Sequence, residues 1–358
     1  MRTFHIAMFF APILLLMACG NKTRQDGQTA AADTLLLPGE THLRNIRQLT
    51  FEGENAEAYL SFDESMLTFQ RRTATMECDQ IFTMTIDGEN MQRLSSGKGR
   101  TTCSYWLPGD ETVVFSSTEA HDPGCLPSPD QSRGYVWKLY PEFDIYTIRR
   151  DGTGLKKLFA TEGYDAEATV SPNGDRIVFT STRDGDPEIY SMNIDGSDVR
   201  RLTYSKGYDG GPFFSADGSK IVFRASRPET EEELAAYREL VSENLVRPTN
   251  LEIFVMDADG SNIRQVTDNG MANFAPYMHP DGQRIVFSSN MDSENPRNFD
   301  LYIINIDGTG LTRITNHEEF DGFPMFTRDG KTLVFCSNRN NRKPGDTNVF
   351  IADWVDTP

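Results

Sequence analysis

Residues 163–203, GYDAEATVSPNGDRIVFTSTRDGDPEIYSMNIDGSDVRRLT, contain four short runs of strand-forming residues with turn signals between them. The pairs Asn173-Gly174 and Asp195-Gly196 supply the positive φ angles that tight hairpins need. The runs themselves are rich in β-branched and aromatic residues, which suit a pleated surface. The segment therefore predicts one four-stranded antiparallel sheet.

This unit recurs along the chain. The Asp-Gly turn returns at Asp87, Asp151, Asp195, Asp259 and Asp307, so that consecutive turns are 64, 44, 64 and 48 residues apart. The first turn of the unit recurs in parallel, at Asp63, Gly109, Asn173, Asp217, Asp281 and Asp329. A basic period in the forties, with two longer units, predicts an all-β fold: a six-bladed β-propeller of four-stranded antiparallel blades.

The two ends of the chain support a closed ring. The sixth unit reaches its third strand near residues 349–355 and lacks a fourth. Residues 45–50, NIRQLT, nearly duplicate residues 262–267, NIRQVT, which form a fourth strand in an earlier unit. We therefore expect the N-terminal strand to close the last blade, because a complete ring leaves no open sheet edge.

The repeats resemble the WD40-like (PD40) propeller repeats of the TolB family. The resemblance rests on SPNGDRIVF, EIYSMNIDGSDVRRLT, HPDGQRIVFSSN and LYIINIDGTGLTRIT and covers roughly residues 44–355. It implies the propeller fold and a scaffold that binds an envelope protein or a cell-wall-associated polymer. One fold hosts many functions, so the resemblance specifies the fold better than the partner.

The N-terminus resembles a lipoprotein export signal. Residues 1–18 combine Arg2 with an apolar run, and Leu16-Met17-Ala18-Cys19 resembles a bacterial lipobox. The resemblance implies cleavage before Cys19 and lipidation of its thiol; an ordinary signal peptide with a chance cysteine is the alternative. Residues 19–43 then predict a lipidated, disordered tether, and residues 44–358 the propeller. We expect attachment by lipid alone, on the periplasmic side of the outer membrane of a bacterial cell envelope.

The charge balance bears on the class of partner. The chain has 35 basic and 53 acidic residues, a net charge of −18. Nucleic acid and anionic membrane both require a basic face, so neither is expected as the main partner. Solubility alone explains the acidity; a basic partner or cations would also explain it.

Two insertions, residues 119–141 and 229–246, lengthen the second and fourth blades. Both fall between the second and third strands, which places them on the same face of the disc as the links between blades. His121, Tyr135 and Trp137 in the first insertion are candidate partner-binding residues. Alternatively, Tyr135, Trp137 and Tyr140 form a small core of the insertion itself. The second insertion has helical spacing, with Leu234 and Tyr237 on its apolar side.

On the same face, the starts of the first strands predict an acidic, hydrogen-bonding collar around the channel mouth. Equivalent positions hold Asn55, Thr101, Asp165, Asp209, Asn273 and Asp321. Two residues further on, where a regular strand directs the side chain the same way, lie Glu57, Cys103, Glu167, Gly211, Ala275 and Phe323. The ends of the second strands bring Arg72, Arg183, Arg227, Asn290 and Arg339. These residues form a ligand or partner site, or else the acidic and amide side chains cap turns and the arginines pair with them.

No catalytic, cofactor or metal site is predicted. No Gly-x-Ser-x-Gly elbow occurs, the histidines have no ligand spacing, and the Asp-rich turns lack a complete calcium loop. Among the cysteines, one disulfide is expected within Cys78, Cys103 and Cys125, its pairing open, and Cys336 is expected to be a buried hydrophobe.

Two functions remain. The first is a non-enzymatic, monomeric interaction scaffold. The second is a periplasmic solute, glycan or peptide receptor, or a hydrolytic enzyme that uses Asp165 and Glu167 at the channel mouth.

Overall fold

Residues 34–356, which the computed structural model describes, form six four-stranded antiparallel sheets. The sheets are the blades of a propeller, which confirms the predicted fold class. Strand β1 (Leu43–Gln48) belongs to the last blade. The strands of each blade are given from the axis outward. The first blade consists of β2 (Glu54–Leu60), β3 (Met66–Arg72), β4 (Gln80–Thr85) and β5 (Gln92–Arg93), and the second of β6 (Thr101–Trp106), β7 (Thr112–Ser117), β9 (Asp144–Arg149) and β10 (Lys156–Phe159). The third consists of β11 (Asp165–Val170), β12 (Arg176–Ser181), β13 (Glu188–Asn193) and β14 (Arg200–Arg201).

The remaining blades repeat this order. The fourth blade consists of β15 (Asp209–Phe214), β16 (Lys220–Ala225), β18 (Glu252–Asp257) and β19 (Arg264–Gln265). The fifth consists of β20 (Asn273–Met278), β21 (Arg284–Ser289), β22 (Asp300–Asn305) and β23 (Thr312–Arg313). The sixth consists of β24 (Asp321–Phe326), β25 (Thr332–Ser337) and β26 (Asn348–Trp354), with β1 outermost. The insertions contribute a 3₁₀ turn (Gln131–Arg133), β8 (Trp137–Lys138), α1 (Glu231–Ser242) and β17 (Leu245–Val246). Helix α1 begins with a capping box between Thr230 and Glu233 and buries Leu234 and Leu240, as its spacing predicts.

A buried phenylalanine near the centre of each second strand anchors the core. Each one lies opposite an aromatic residue of the third strand, with ring centroids 5.6–6.1 Å apart. Such pairs add about 0.5–1.5 kcal/mol each beyond simple burial. The six pairs are Phe69–Phe82, Phe115–Tyr146, Phe179–Tyr190, Phe223–Phe254, Phe287–Tyr302 and Phe335–Phe350.

A hydroxyl at the end of the fourth strand fastens that strand to the third. In the third blade, the Thr203 hydroxyl accepts a hydrogen bond from the Ile189 N–H at 2.8 Å and donates one to the Glu188 carboxylate. Thr267, Thr315 and Ser95 accept equivalent bonds in three other blades, at 2.8, 2.9 and 3.0 Å. The threonine or serine that follows each of these fourth strands is therefore a fastening residue.

The N-terminal strand closes the ring in the same way. Strand β1 pairs antiparallel with β26, and Leu49 donates its N–H to Val349 at 2.8 Å. The Thr50 hydroxyl accepts from the Val349 N–H at 2.9 Å and donates to Asn348 at 3.1 Å. The predicted closure is confirmed, and it joins residues almost 300 positions apart, as the separation of 298 between Thr50 and Asn348 shows.

The segment before β1 also packs on the last blade, which corrects one predicted boundary. Residues 34–42 fall within the tether predicted for residues 19–43, but Glu40 is buried and binds Arg339 at 2.9 Å. The ring of His42 stacks on Trp354 at 4.9 Å. A buried ion pair and an aromatic contact hold these residues, so the packed unit begins before residue 44. The predicted signal sequence, Cys19 and the rest of the predicted tether lie outside the described residues.

We expect Thr50→Val to weaken the closure of the ring. The substitution keeps the shape of the side chain but leaves the buried Val349 N–H without its acceptor, which costs about 1–3 kcal/mol of unfolding free energy. Urea unfolding measures this cost. Thr312→Val, at an exposed outer-strand position, is the control and should cost less than about 0.5 kcal/mol. Equal unfolding midpoints for the two variants would contradict a fastening role for Thr50.

Candidate functional site

The innermost strand of every blade has a β-bulge near its start. The pairing of first and second strands shifts register there in all six blades. The bulged residues have left-handed backbone angles: Glu57 (φ 55°), Cys103 (47°), Glu167 (59°), Gly211 (60°), Ala275 (50°) and Phe323 (54°). Because a bulge interrupts the alternation of a strand, these side chains do not point the same way as those two residues earlier. The sequence predicted that they would.

The six residues at the strand starts are buried rather than open to the channel. Asp165 accepts hydrogen bonds from the Thr161 N–H and hydroxyl, each at 2.7 Å. Asn273 donates its amide to Leu251 O at 2.9 Å. All six have exposed fractions of 1% or less: Asn55, Thr101, Asp165, Asp209, Asn273 and Asp321. Their contacts fit the turn-capping alternative; a role in binding remains a prediction.

Three of the predicted arginines pair with the buried aspartates. The closest oxygen–nitrogen distances are 3.6 Å for Asp165–Arg183, 2.5 Å for Asp209–Arg227 and 3.1 Å for Asp321–Arg339. Each guanidinium also lies over an aromatic ring of its blade, 4.5–5.2 Å from the centroid. Burial nevertheless raises the pKa of Asp165 and of Asp209. These pairs fasten the start of the first strand to the end of the second.

In the first blade the paired arginine is Arg71, which the sequence analysis did not single out. It donates to Asn55 Oδ1 at 2.8 Å and binds Glu52 at 3.1 Å. The predicted Arg72 contacts Glu54 instead. Arg71 takes this role because, in the register of β2 and β3, it lies directly opposite Asn55.

The bulged residues surround a small pocket on the propeller axis. One residue of each blade reaches it, which is the arrangement predicted for the second set of positions. Deeper lining comes from Tyr59, Ala168, Thr169, Phe213 and Arg224.

Arg224 and Glu167 form the charged wall of this axial pocket. The Arg224 guanidinium contacts the Glu167 carboxylate and donates to the Tyr208 hydroxyl at 2.8 Å. The second oxygen of Glu167 accepts from the Thr180 hydroxyl at 2.6 Å and from the Gly211 N–H at 2.9 Å. A Cβ at position 211 would collide with the guanidinium, so glycine there makes room for Arg224.

Glu57 is the other carboxyl of the pocket. Burial raises its pKa to about 7, and the negative charge of Glu167 acts in the same direction, while a hydrogen bond with Cys103 opposes the shift. Its Oε2 is enclosed and has no hydrogen-bond partner among residues 34–356. Near neutral pH this carboxyl is therefore poised between its protonated and ionised forms.

Four aromatic rings close the axis beneath the pocket. Phe213 contacts Tyr59, Tyr105 and Tyr277, with ring centroids 5.1, 6.3 and 5.9 Å apart. Tyr59 and Phe213 line the axial pocket, whereas Tyr105 and Tyr277 line a separate cavity. The axial pocket is thus blind at its inner end.

The two insertions pack on each other over one side of the pocket. Strands β8 and β17 pair antiparallel, and Arg133 binds Glu239 and Glu243 at 2.8 and 3.0 Å. A disulfide between Cys78 and Cys125 ties the first insertion to the first blade, which settles the open pairing. Cys103 is free in the pocket wall, and Cys336 is free and buried as expected.

The candidate residues of the first insertion have three different environments. Trp137 lies over the Arg224 guanidinium at 5.2 Å, at the pocket. Tyr135 is 58% exposed and shares a hydrogen bond of 3.1 Å with the Trp137 indole. His121 lies 3.1 Å from the buried Asp144 and anchors the insertion to the second blade.

Across the pocket from the insertions lies a cluster of four half-buried phenylalanines. Phe274 contacts the rings of the other three, with centroids 4.7–6.2 Å apart. Phe323 belongs both to this cluster and to the pocket wall. The cluster comprises Phe274, Phe299, Phe320 and Phe323.

Comparison with known families assigns the fold. The sequence matches the family model of PD40, the TolB beta propeller domain, over residues 127–245 and 249–353. The chain belongs to this PD40 family. No curated protein sequence matches it.

Solved structures show the same PD40 propeller fold at low identity. TolB from Acinetobacter baumannii is 18% identical, with a TM-score of 0.55, over 75% of this chain and 55% of that one. A TolB-type protein from Agrobacterium tumefaciens gives the same identity and TM-score over 85% and 91%. A puromycin-hydrolyzing peptidase from Mycobacterium tuberculosis is 13% identical, with a TM-score of 0.51, over 86% and 47%. The chain thus spans about half of the Acinetobacter protein, and these likenesses show the fold alone.

Two further observations concern residues 34–356 of this PD40 propeller. No group of three or more His, Cys, Asp or Glu side chains in this range is placed to hold a metal ion. None of the helices in the same range is long and apolar enough to span a membrane.

Sequence reasoning missed Arg224, although a signal for it exists. Equivalent positions of the other second strands hold small or uncharged residues, namely Gln70, Ser116, Thr180, Ser288 and Cys336. One arginine in that series, together with glycine at the bulge of the same blade, marks an inward-pointing charge.

We expect Glu57→Gln to change how the stability of the PD40 propeller depends on pH. The folded state raises the Glu57 pKa from the ordinary glutamate value of 4.5 to about 7, so it favours the protonated carboxyl. This contribution is complete below about pH 4.5 and is lost as the pH rises through about 7. Between pH 5 and pH 8 the wild type should lose about 1–3 kcal/mol more unfolding free energy than the variant.

Urea unfolding at both pH values measures the difference. Glu89→Gln, at an exposed position, should follow the wild type. Parallel stability profiles for the wild type and Glu57→Gln would show that Glu57 titrates in the folded protein as it does in the unfolded one.

Proposed function

We propose that this PD40 propeller is an interaction scaffold of the bacterial cell envelope that binds a protein partner on its insertion-bearing face. The observation that carries the proposal is the combination on this face of a blind axial pocket, an exposed tyrosine and a phenylalanine cluster. Each of these features favours contact with a partner chain more than it favours the stability of the propeller.

Aromatic residues at the rim provide the apolar contact. Tyr135 is exposed on an insertion that the Cys78–Cys125 disulfide and the β8–β17 pair hold in place. Phe274 and Phe320 stack opposite it, half-buried. Aromatic anchors on a preorganised surface are the usual centres of binding energy in protein interfaces.

The closed axis determines how a partner would engage. The rings of Tyr59, Tyr105, Phe213 and Tyr277 block passage, so a partner lies across the face and inserts a side chain or a chain end. The axial pocket is small, so no more than a side chain or a chain end can enter it. The net charge of −18 favours a partner with a basic contact surface.

The location belongs to the same proposal. The lipobox-like ending at Cys19 and the apolar run before it support export and lipid attachment, with the propeller on the periplasmic side of the outer membrane. A monomer attached in this way would present its insertion-bearing face to envelope proteins or to cell-wall-associated polymers.

The axial pocket favours one alternative, a receptor for a small solute. It is blind and lined by charged and aromatic groups, as small-ligand pockets commonly are. A solute retained by the purified protein, without any protein partner, would favour this reading.

The proposal predicts that aromatic substitutions on the face abolish capture of a partner. Intact cells expressing the full chain are crosslinked mildly, and captured proteins are identified by mass spectrometry. We expect the double variant Tyr135→Ala/Phe320→Ala to capture at least tenfold less of the partner protein than the wild type does, because both aromatic anchors are removed. Leu311→Ala, an exposed apolar residue at a turn on the opposite face, is the matched control.

Thermal melting of all three proteins verifies that they fold. Equal recovery of one protein by the wild type, the double variant and the control would place the partner elsewhere. Recovery of none by the wild type would refute the scaffold proposal.

A further inference from the structure

The two carboxyls of the axial pocket differ in how well they are satisfied. Glu167 has a full set of partners in Thr180, Gly211 and Arg224. Glu57 has a hydrogen bond with the Cys103 thiol, which is a weak donor, and its Oε2 has no partner among residues 34–356. An unmatched carboxylate oxygen in an enclosed site is costly unless a cation or a donor completes it.

The positive charge of Arg224 does not serve as the partner of the Glu57 carboxylate. Arg224 contacts Glu167 and donates to Tyr208, and the Trp137 ring lies over its guanidinium. With Arg224 matched by Glu167, an ionised Glu57 leaves the pocket with one net negative charge. The wall near it is aromatic, formed by Tyr59, Phe213 and Phe323.

We propose that the axial pocket binds an alkylammonium group, with the Glu57 carboxylate as its counter-ion and the rings of Tyr59, Phe213 and Phe323 around its alkyl chain. Carboxylate and aromatic faces together attract a cation more strongly than either does alone in a partly dehydrated site. The terminal torsion of glutamate is soft, so Oε2 can turn toward a ligand. The inference rests on the proposed function, since the group would be a lysine side chain or a chain end of the partner.

The geometry limits the size of this group. The pocket is small and ends at the aromatic rings on the axis, so it admits a short alkylammonium but no long or branched chain. An anion would be repelled by the Glu57 carboxylate, and it would have to break the Glu167–Arg224 pair to gain a partner.

Binding should be linked to the protonation of Glu57. The groups that act on this carboxyl are Cys103 and Glu167 from neighbouring inner strands, Arg224 and Cys336 from second strands, Tyr59 on its own strand, and Asp79 before β4. With a pKa of about 7 in the free protein, an ammonium that binds only the ionised form gains about tenfold in affinity between pH 6 and pH 8.

Calorimetric titration of the full chain with n-butylammonium chloride tests the inference. Sodium chloride at equal ionic strength and sodium butyrate are the reference solutes. We expect saturable binding of n-butylammonium alone, about tenfold tighter at pH 8 than at pH 6. Glu57→Gln should weaken it at least tenfold at pH 8 and remove the pH dependence, whereas Glu89→Gln should leave both unchanged.

Two further probes distinguish the sources of the ammonium group. Nα-acetyl-lysine amide presents a lysine side chain, and glycinamide presents a chain-terminal amine. Tighter binding of the first assigns the pocket to a lysine, and tighter binding of the second to a chain end.

Equal binding of n-butylammonium by the wild type and Glu57→Gln, or preferential binding of butyrate, would overturn the inference. Partner capture that still depends on Tyr135 and Phe320 would then leave the scaffold proposal standing. Conversely, ammonium binding without any captured partner would retain this site and refute the scaffold.

Discussion

One backbone constraint, a left-handed residue near the start of every inner strand, organises both the interior and the axial site. It separates two side chains that a regular strand would direct to the same side. The earlier one, such as Asp209, turns into the blade and is fastened there by an arginine. The later one, such as Glu57, turns to the axis. Five of the six bulged positions hold residues other than glycine, so the surrounding sheets must impose a conformation that these residues disfavour alone.

Most of the fold could be predicted from local sequence because its rules repeat in each blade. The same fold is indicated by the Asn-Gly and Asp-Gly turns, by the strand lengths and by the N-terminal sequence NIRQLT, which nearly duplicates a fourth strand. These local signals agree with one another. The roles of Thr203 and of the paired phenylalanines were less visible. A hydroxyl at a strand end and an apolar residue in a strand look ordinary until the facing strand is known.

The candidate site was predictable in position but not in detail. Aligning the turns identified the residues that surround the axis, including Glu57 and Glu167. It could not show which of the two sets of residues, those at the strand starts or those two positions later, faces the pocket. A bulge adds one residue to a strand without any obligatory sequence signature. Contacts between blades or between insertions, such as Arg224 with Glu167 and Trp137, depend on distances across the ring, which no single repeat contains.

The closure of the ring by β1 also fixes an order of events in folding. Strand β1 leaves the ribosome before any other strand of the propeller, yet its partner β26 is made last. Its hydrogen-bonding edge therefore stays unpaired throughout synthesis, and the contact that completes the ring joins residues 298 positions apart. The other blades can assemble as local units meanwhile. Of the strand pairings, the meeting of the two ends closes the longest loop.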